Sequence, residues 1–126
     1  MKDFSSEEFL NKCCNDLLLR SEVRFAGIVN GMGRQVSGGY NKGITPLVDE
    51  EQHKMCMGQA LELSMSKDLD DPLGLTEYII SKRKKVILIS IPFDGCLFLI
   101  SVEPNANPDL IINQINQYLK EYVITS

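Results

Sequence analysis

The chain has 126 residues, of which 44% are hydrophobic and 24% are charged, as is typical of a folded domain rather than a disordered chain. The formal net charge of -4 argues against a surface built for nucleic acid. No apolar run reaches the roughly 18 residues of a membrane-spanning helix, and Met1–Glu8 lacks the apolar core of a secretory signal. We therefore expect a single cytoplasmic domain over residues 1–126, with no transmembrane segment and no nucleic-acid partner.

The first helix has a clear start signal in the sequence. Ser5 and Glu8 match a capping box, and Phe4 and Phe9 stand where a hydrophobic staple requires them. Apolar residues then recur at helical spacing, which predicts a helix that ends near Arg20.

A β-hairpin is predicted next. The first strand, residues 23–29, would place Val23 and Phe25 on the same face. The Asn-Gly pair that follows is typical of tight hairpin turns. The return strand, residues 34–40, is more polar and contains two adjacent glycines, which predicts a position at the edge of a sheet.

Residues 49–67 predict the second helix, with Asp49 as its N-cap. At about 100° per residue, its apolar positions cover an arc of roughly 200°, about twice the width that packing on a single sheet requires. This width favours one of two arrangements: a deeply buried helix, or a helix with two apolar neighbours, its own sheet and a partner. The arc consists of Cys56, Met57, Ala60, Leu61, Leu63, Ser64 and Met65.

A helix-breaking segment and then a third strand are predicted after this helix. The acidic segment 68–74 contains a proline and a glycine, which favour an irregular connection. Residues 75–81 then predict a strand with Tyr78 and Ile80 on one face. This strand is the candidate edge for pairing with a partner, because an exposed apolar edge is otherwise prone to association.

The C-terminal part predicts two buried strands and a final helix. Residues 86–91 and 96–102 are almost continuously apolar, which is typical of central strands covered on both faces. The third helix begins at Asn107 and Pro108, an N-cap followed by a proline at the first helical position, and ends near Tyr122.

The predicted order is α-β-β-α-β-β-β-α, a single α+β domain with a five-stranded antiparallel sheet. Covering both faces of the central strands places the second helix on one face and the first and third helices on the other.

The hairpin sequence VRFAGIVNG, residues 23–31, together with the central helix and the three strands after it, resembles the roadblock (dynein light chain seven) family. This family belongs to the wider profilin-like and longin-like group of folds. Residues 17–33 are also similar to a group of short uncharacterised archaeal proteins.

The roadblock resemblance implies a non-catalytic dimeric scaffold or regulator. Members form homo- or heterodimers in which the central helices pack together and the third strands pair, and they often act on small Ras-like GTPases or motor complexes. The resemblance and the broad arc of the second helix together place a homodimer interface on helix two and strand three. They also make a small GTPase a candidate partner. The interface residues are Met57, Leu61, Met65, Tyr78 and Ile80.

One predicted hairpin turn consists of four consecutive basic residues, and it has two interpretations. The residues are Lys82, Arg83, Lys84 and Lys85. It is either a solvated loop that keeps strands from aggregating, or a contact for an anionic partner such as lipid, nucleic acid or an acidic protein.

The sequence leaves two further classes of function open. A small-molecule sensor would hold its ligand in a pocket between sheet and helix, lined by Met55, Met57, Met65 and the cysteines. An enzyme would have to pair His53 with a cysteine, yet the sequence shows no oriented pair.

The four cysteines, at positions 13, 14, 56 and 96, lack metal-ligand spacing with His53. We interpret them as small buried apolar side chains and expect no disulfide, no metal and no cofactor.

Overall fold

The computed structural model describes the backbone of residues 2–125 and the side chains of residues 7–122. It confirms the α+β class and the predicted order of three long helices and five strands; a 3-10 segment, Ser66–Leu69, and a one-turn helix are additional. The elements in chain order are α1 (Lys2–Leu17), β1 (Val23–Val29), β2 (Gln35–Tyr40), α2 (Glu51–Met65), α3 (Asp70–Leu73), β3 (Ile79–Lys82), β4 (Ile87–Phe93), β5 (Cys96–Val102) and α4 (Pro108–Thr125).

The five strands form one antiparallel sheet in the order β2-β1-β5-β4-β3. The apolar strand β5 is central, and β4 lies beside it, as their continuous hydrophobic runs predicted. The polar, glycine-containing β2 lies at one edge, which is also confirmed, and β3 lies at the other.

The helices cover the two faces of the sheet as predicted. Leu17 of α1 and Ile115 of α4 pack in one cluster with Ile100 of β5. Cys56 of α2 packs in a second cluster with Leu99, the preceding residue of the same strand. Because neighbouring residues in a strand point to opposite faces, α1 and α4 cover one face and α2 covers the other.

The prediction that Val23 and Phe25 share a face is wrong. Val23 lies opposite Val102 and Phe25 lies opposite Ser101, so Arg24 is an extra residue in β1. This bulge reverses the alternation. Val23 therefore packs on the α1 and α4 side, whereas Phe25 packs on the α2 side.

Two predicted helix starts are also wrong. The first helix already includes Lys2, so Ser5 lies inside it rather than at its cap; the side chains of residues 2–6 are outside those described. The residue before α2 is Glu50, which has a left-handed backbone with φ 57° and makes no capping hydrogen bond, so Asp49 is not the N-cap. Glu51 instead joins the helix start to the preceding loop, as described below.

The segment after α2 is helical rather than irregular, because the 3-10 turn Ser66–Leu69 and α3 continue the chain up to Gly74. The third strand is also shorter than the predicted 75–81. Ile79 pairs with Ser90, so Glu77 would meet Pro92 if the ladder continued. Proline has no N–H to donate, which ends the pairing before that point.

Candidate interaction interface

A hydrogen-bond network fixes the start of α2 over β2. The Tyr40 hydroxyl donates to Glu51 Oε2 at 2.8 Å, and the backbone N–H of Leu47 donates to Glu51 Oε1 at 2.8 Å. One carboxylate thus joins β2, the connecting loop and the helix. Gln52 also donates to Gln35 of β2. These contacts set the rotation of α2 about its axis and hence the side chains that face outward.

Three large apolar residues recur every four positions along the outer side of α2. We call them the α2 ridge: Met57, Leu61 and Met65. Their exposed fractions are 44%, 61% and 71%. The other part of the predicted arc, Cys56, Ala60 and Leu63, packs towards the sheet. The deeply buried arrangement is therefore excluded, and α2 has one apolar side on its sheet and a second that the described chain leaves in solvent.

The β3 edge is a separate apolar feature. Ile80 lies opposite Ile89, which packs with α1 and α4, so Ile80 points to the sheet face opposite α2. Tyr78, two residues earlier, is exposed as well. Met57, in contrast, lies over the β1–β2 turn, where a Cβ on Gly33 would come within 3.3 Å of its Cα.

The five predicted interface residues therefore occupy two surfaces. The α2 ridge lies on one side of the sheet and the Tyr78–Ile80 pair lies along the edge and on the other side. Periodicity within a helix or a strand could predict each surface, but it could not show how the two are arranged around the sheet.

The basic turn joins β3 to β4 and all four of its side chains are exposed. Lys82 Nζ donates to the carbonyl of Pro104 at 3.1 Å, and Arg83 Nη1 donates to Ser81 Oγ at 3.3 Å. The turn itself is closed by the Arg83 N–H and the Val86 carbonyl at 2.9 Å. The turn thus projects its cations from one end of the β3 edge.

An open cavity of about 400 Å³ lies between the C-terminal end of α2 and the β1–β2 and β4–β5 turns. Ala60, Leu63 and Lys67 form its helical side, and Gly31 and Gly95 lie on its opposite side. It lies between helix and sheet, and Cys96 is the member of the lining proposed for a sensor that it contains. The predicted methionine lining is wrong, because Met55 is buried against the sheet and the other two methionines belong to the α2 ridge. Sequence reasoning missed Lys67 and the two glycines, since they come from three separate segments.

The thiols are not set up as nucleophiles. Burial raises the pKa of Cys13 to about 12 and that of Cys14 and Cys56 to about 11, whereas a reactive cysteine needs a lowered pKa. His53 is exposed on α2. Within the described part of the chain, no group of three His, Cys, Asp or Glu residues is placed to hold a metal ion.

Alkaline conditions are expected to weaken the fold between about pH 9 and pH 11. The thiols of Cys14 and Cys56 have pKa values of about 11 when folded, against 9.0 ordinarily. Between these values the unfolded chain releases protons that the native state keeps. The free energy of unfolding therefore falls with rising pH across this window, and the contribution is fully present below it. Urea denaturation at pH 8, 9.5 and 11 measures the free energy of unfolding across this window. Cys56→Ala should make that free energy fall less steeply with pH. An equally steep fall in this variant would contradict a contribution from the Cys56 thiol.

Comparison with solved structures identifies the fold as that of Roadblock/LC7 domains. The Roadblock/LC7 domain from Streptomyces avermitilis matches with a TM-score of 0.70 and 12% sequence identity, over 89% of this chain and 92% of that one. Myxococcus xanthus MglB matches with a TM-score of 0.71 and 12% identity, over 89% of each chain. Schizosaccharomyces pombe profilin matches with a TM-score of 0.56 and 13% identity, over 92% of this chain and 94% of that one.

The chain thus has the roadblock/profilin-like fold, as the resemblance seen in the sequence predicted. Residues 1–123 match a family described as a family of unknown function, DUF6659, and the chain belongs to that family. No curated protein is significantly similar to it in sequence. In the described residues 2–125, no helix combines the length and the apolar character needed to cross a membrane.

Proposed function

We propose that this protein is a non-catalytic, cytoplasmic interaction module that forms a homodimer and acts as a scaffold or regulator. The α2 ridge carries this proposal. Three large apolar side chains, Met57, Leu61 and Met65, stand in one row on the outer face of α2 with exposed fractions from 44% to 71%. A contiguous apolar row of this kind is typical of a contact surface, since an ordinary surface helix is polar on its outer side.

The neighbouring residue Gly58 supports helix–helix contact at this surface. Gly58 lies in α2 one turn before Leu61 and is exposed, and apart from its chain neighbours and the helix backbone no heavy atom lies within 4 Å of the position that a Cβ would occupy. A small residue beside an apolar row lets a second helix approach closely. In the proposed dimer, the α2 helices contact each other through the ridge and the β3 edges contribute the second part of the interface.

The solution mass across a dilution series tests the dimer. Size-exclusion chromatography with light scattering is expected to give about twice the 14.2 kDa chain mass, with dissociation only at low concentration. A mass of one chain at the highest concentration reached would overturn the proposal.

We further propose a small Ras-like GTPase as the partner of the dimer. The support is the roadblock resemblance, and the absence of activated thiols is consistent with a module that binds rather than reacts. Titration of candidate GTPases, loaded with GDP or with a non-hydrolysable GTP analogue, is expected to show binding that depends on the nucleotide. Equal affinity for both forms would argue against a regulatory contact, and no binding to either would remove this partner.

A small-molecule sensor is the alternative, and the cavity beside α2 is the observation that favours it. Its lining mixes apolar Ala60 and Leu63 with Lys67, the combination found in many ligand sites. A ligand that binds only the native state must raise the unfolding temperature. A thermal-shift screen against a metabolite panel, repeated with Ala60→Phe to fill the cavity, tests this function. A shift that persists in the filled variant would place the ligand elsewhere.

A further inference from the structure

We infer that the cavity beside α2 binds a free α-amino acid with a large apolar side chain, whose carboxylate contacts Lys67 and whose ammonium group contacts Asp70. This inference rests on the small-molecule function proposed above as the alternative, and it names the class of ligand. Two unpaired charges of opposite sign and an apolar wall, which meet in one cavity of about 400 Å³, carry it.

Lys67 and Asp70 form the charged side of the cavity. Both belong to its lining, and they stand three positions apart, Lys67 in the 3-10 segment and Asp70 at the first position of α3. Opposite charges at this spacing on a helix are neighbours and commonly pair. Here neither side chain forms an ion pair or a hydrogen bond with another described residue. One cation and one anion are therefore available side by side for a ligand.

Asp94, the third charged residue of the lining, already has a partner. Its Oδ2 accepts a hydrogen bond from the Tyr122 hydroxyl of α4 at 2.7 Å. The C-terminal end of α2 also reaches the cavity, through Ser64 and Ser66. The last carbonyls of a helix carry partial negative charge, so this end favours a cationic group of the ligand near Asp70.

A zwitterion satisfies both unpaired charges at once. An anion without a positive group would be repelled by Asp70, and a cation without a negative group would be repelled by Lys67. In an α-amino acid the ammonium and carboxylate groups are attached to one carbon atom, so two neighbouring positions of one helical segment can contact both. Charge-assisted hydrogen bonds of this kind are the stronger ones in proteins.

The wall of the cavity towards the sheet is apolar. Leu63 of α2 and Leu97 of β5 belong to the cluster that packs α2 on the sheet, and both line the cavity. Pro92 lines it as well and lies on β4 beyond the last residue that pairs with β3. A large apolar side chain of the ligand would bury against this wall, and each buried methylene group adds affinity. The cavity volume lies in the range of small-molecule sites.

Titration with L-leucine, followed in backbone NMR spectra, tests the class of ligand. Saturable shifts are expected at residues that line the cavity, such as Gly31, Leu63, Lys67 and Gly95. Glycine, which lacks the apolar side chain, is expected to bind at least tenfold more weakly. Ala60→Phe fills the cavity and is expected to abolish the shifts.

Two analogues of leucine, each without one of its charges, test the two charged contacts separately. Isocaproate lacks the ammonium group and isoamylamine lacks the carboxylate, and both are expected to bind the parent protein at least tenfold more weakly than leucine. Lys67→Met is expected to weaken leucine binding at least tenfold without weakening isoamylamine. Asp70→Asn is expected to weaken leucine binding at least tenfold without weakening isocaproate.

Matched controls make the same charge changes outside the cavity. Asp68→Asn lies two residues from Asp70, and Lys84→Met lies in the basic turn; neither residue belongs to the lining. Because exposed charges at a distance are screened by salt, each control is expected to change the dissociation constant for leucine by less than about twofold.

The outcomes separate this inference from the small-molecule function. Leucine shifts at the cavity, with the expected split between the two charge variants, support the inference. No shifts with leucine, methionine or phenylalanine at millimolar concentration, equal affinity for leucine and isocaproate, or shifts that persist in Ala60→Phe overturn it. A hit from the metabolite screen that disappears in Ala60→Phe would then keep the small-molecule function, and the absence of any such hit would overturn both.

Discussion

Leu61→Glu is expected to dissociate the proposed dimer while leaving the folded monomer intact. Leu61 is the central member of the α2 ridge and is 61% exposed in the single chain, so the monomer should change by no more than about 0.5 kcal/mol. In the dimer, the leucine contact is worth about 1.5–3 kcal/mol, and a carboxylate buried there costs more. Because the residue occurs twice, the dissociation constant should rise at least 100-fold, the equivalent of about 2.7 kcal/mol.

The measurement is the solution mass over a dilution series together with urea denaturation of the monomer. Leu110→Glu is the matched control: Leu110 is also a half-exposed leucine on a helix, but it lies on α4, on the other side of the sheet. The control should remain dimeric. A Leu61→Glu protein that stays dimeric at the concentrations at which the parent does would show that the α2 ridge is not the interface.

Gly38→Ala is expected to be the most destabilising conservative change in the sheet. Gly38 has a left-handed φ of 88°, and a Cβ there would lie 2.6 Å from the Cα of Gly27 in the neighbouring β1. The obstacle is backbone in a well-paired strand, so it cannot move aside as a side chain would. Backbone strain and the clash together should lower the free energy of unfolding by about 3 kcal/mol or more, which for a domain of this size lowers the melting temperature by roughly 10 °C.

The adjacent glycine offers the control for this change. Apart from its chain neighbours, Gly39 has no heavy atom within 4 Å of the position that a Cβ would occupy, and it lacks the left-handed conformation. Gly39→Ala should therefore change the stability by less than about 1 kcal/mol. Equal melting temperatures for the two alanine variants, measured by circular dichroism, would contradict the argument.

The layering of the fold was predictable because hydrophobic patterns report burial. The runs 86–91 and 96–102 are apolar on both faces, and such strands must lie between two layers of helices. The α2 arc was predictable for the same reason: Cys56 and Leu61 lie on different sides of one helix, and both are apolar. The pattern therefore predicted apolar residues over a wide arc of α2, and the structure shows one part of that arc on the sheet and the other part exposed.

Features that depend on a partner segment were not predictable. The extra residue Arg24 in β1 is defined by its pairing with β5, more than seventy positions away in sequence, and no local periodicity encodes it. The end of β3 depends likewise on Pro92 in β4. The cavity combines Lys67 with Gly31 and Gly95, residues of ordinary turns and helix ends whose proximity only the folded chain creates.

The pairing of β1 with β5 has a consequence for how the protein folds during synthesis. β1 lies inside the sheet, between β2 and β5, so its second edge remains open until residues 96–102 have been made. A nascent chain that ends before β5 therefore exposes an apolar strand, and its hairpin alone is at best marginally stable. Such long-range pairing slows folding. Residues 96–102 must therefore have left the ribosome before β1 can be paired on both of its edges.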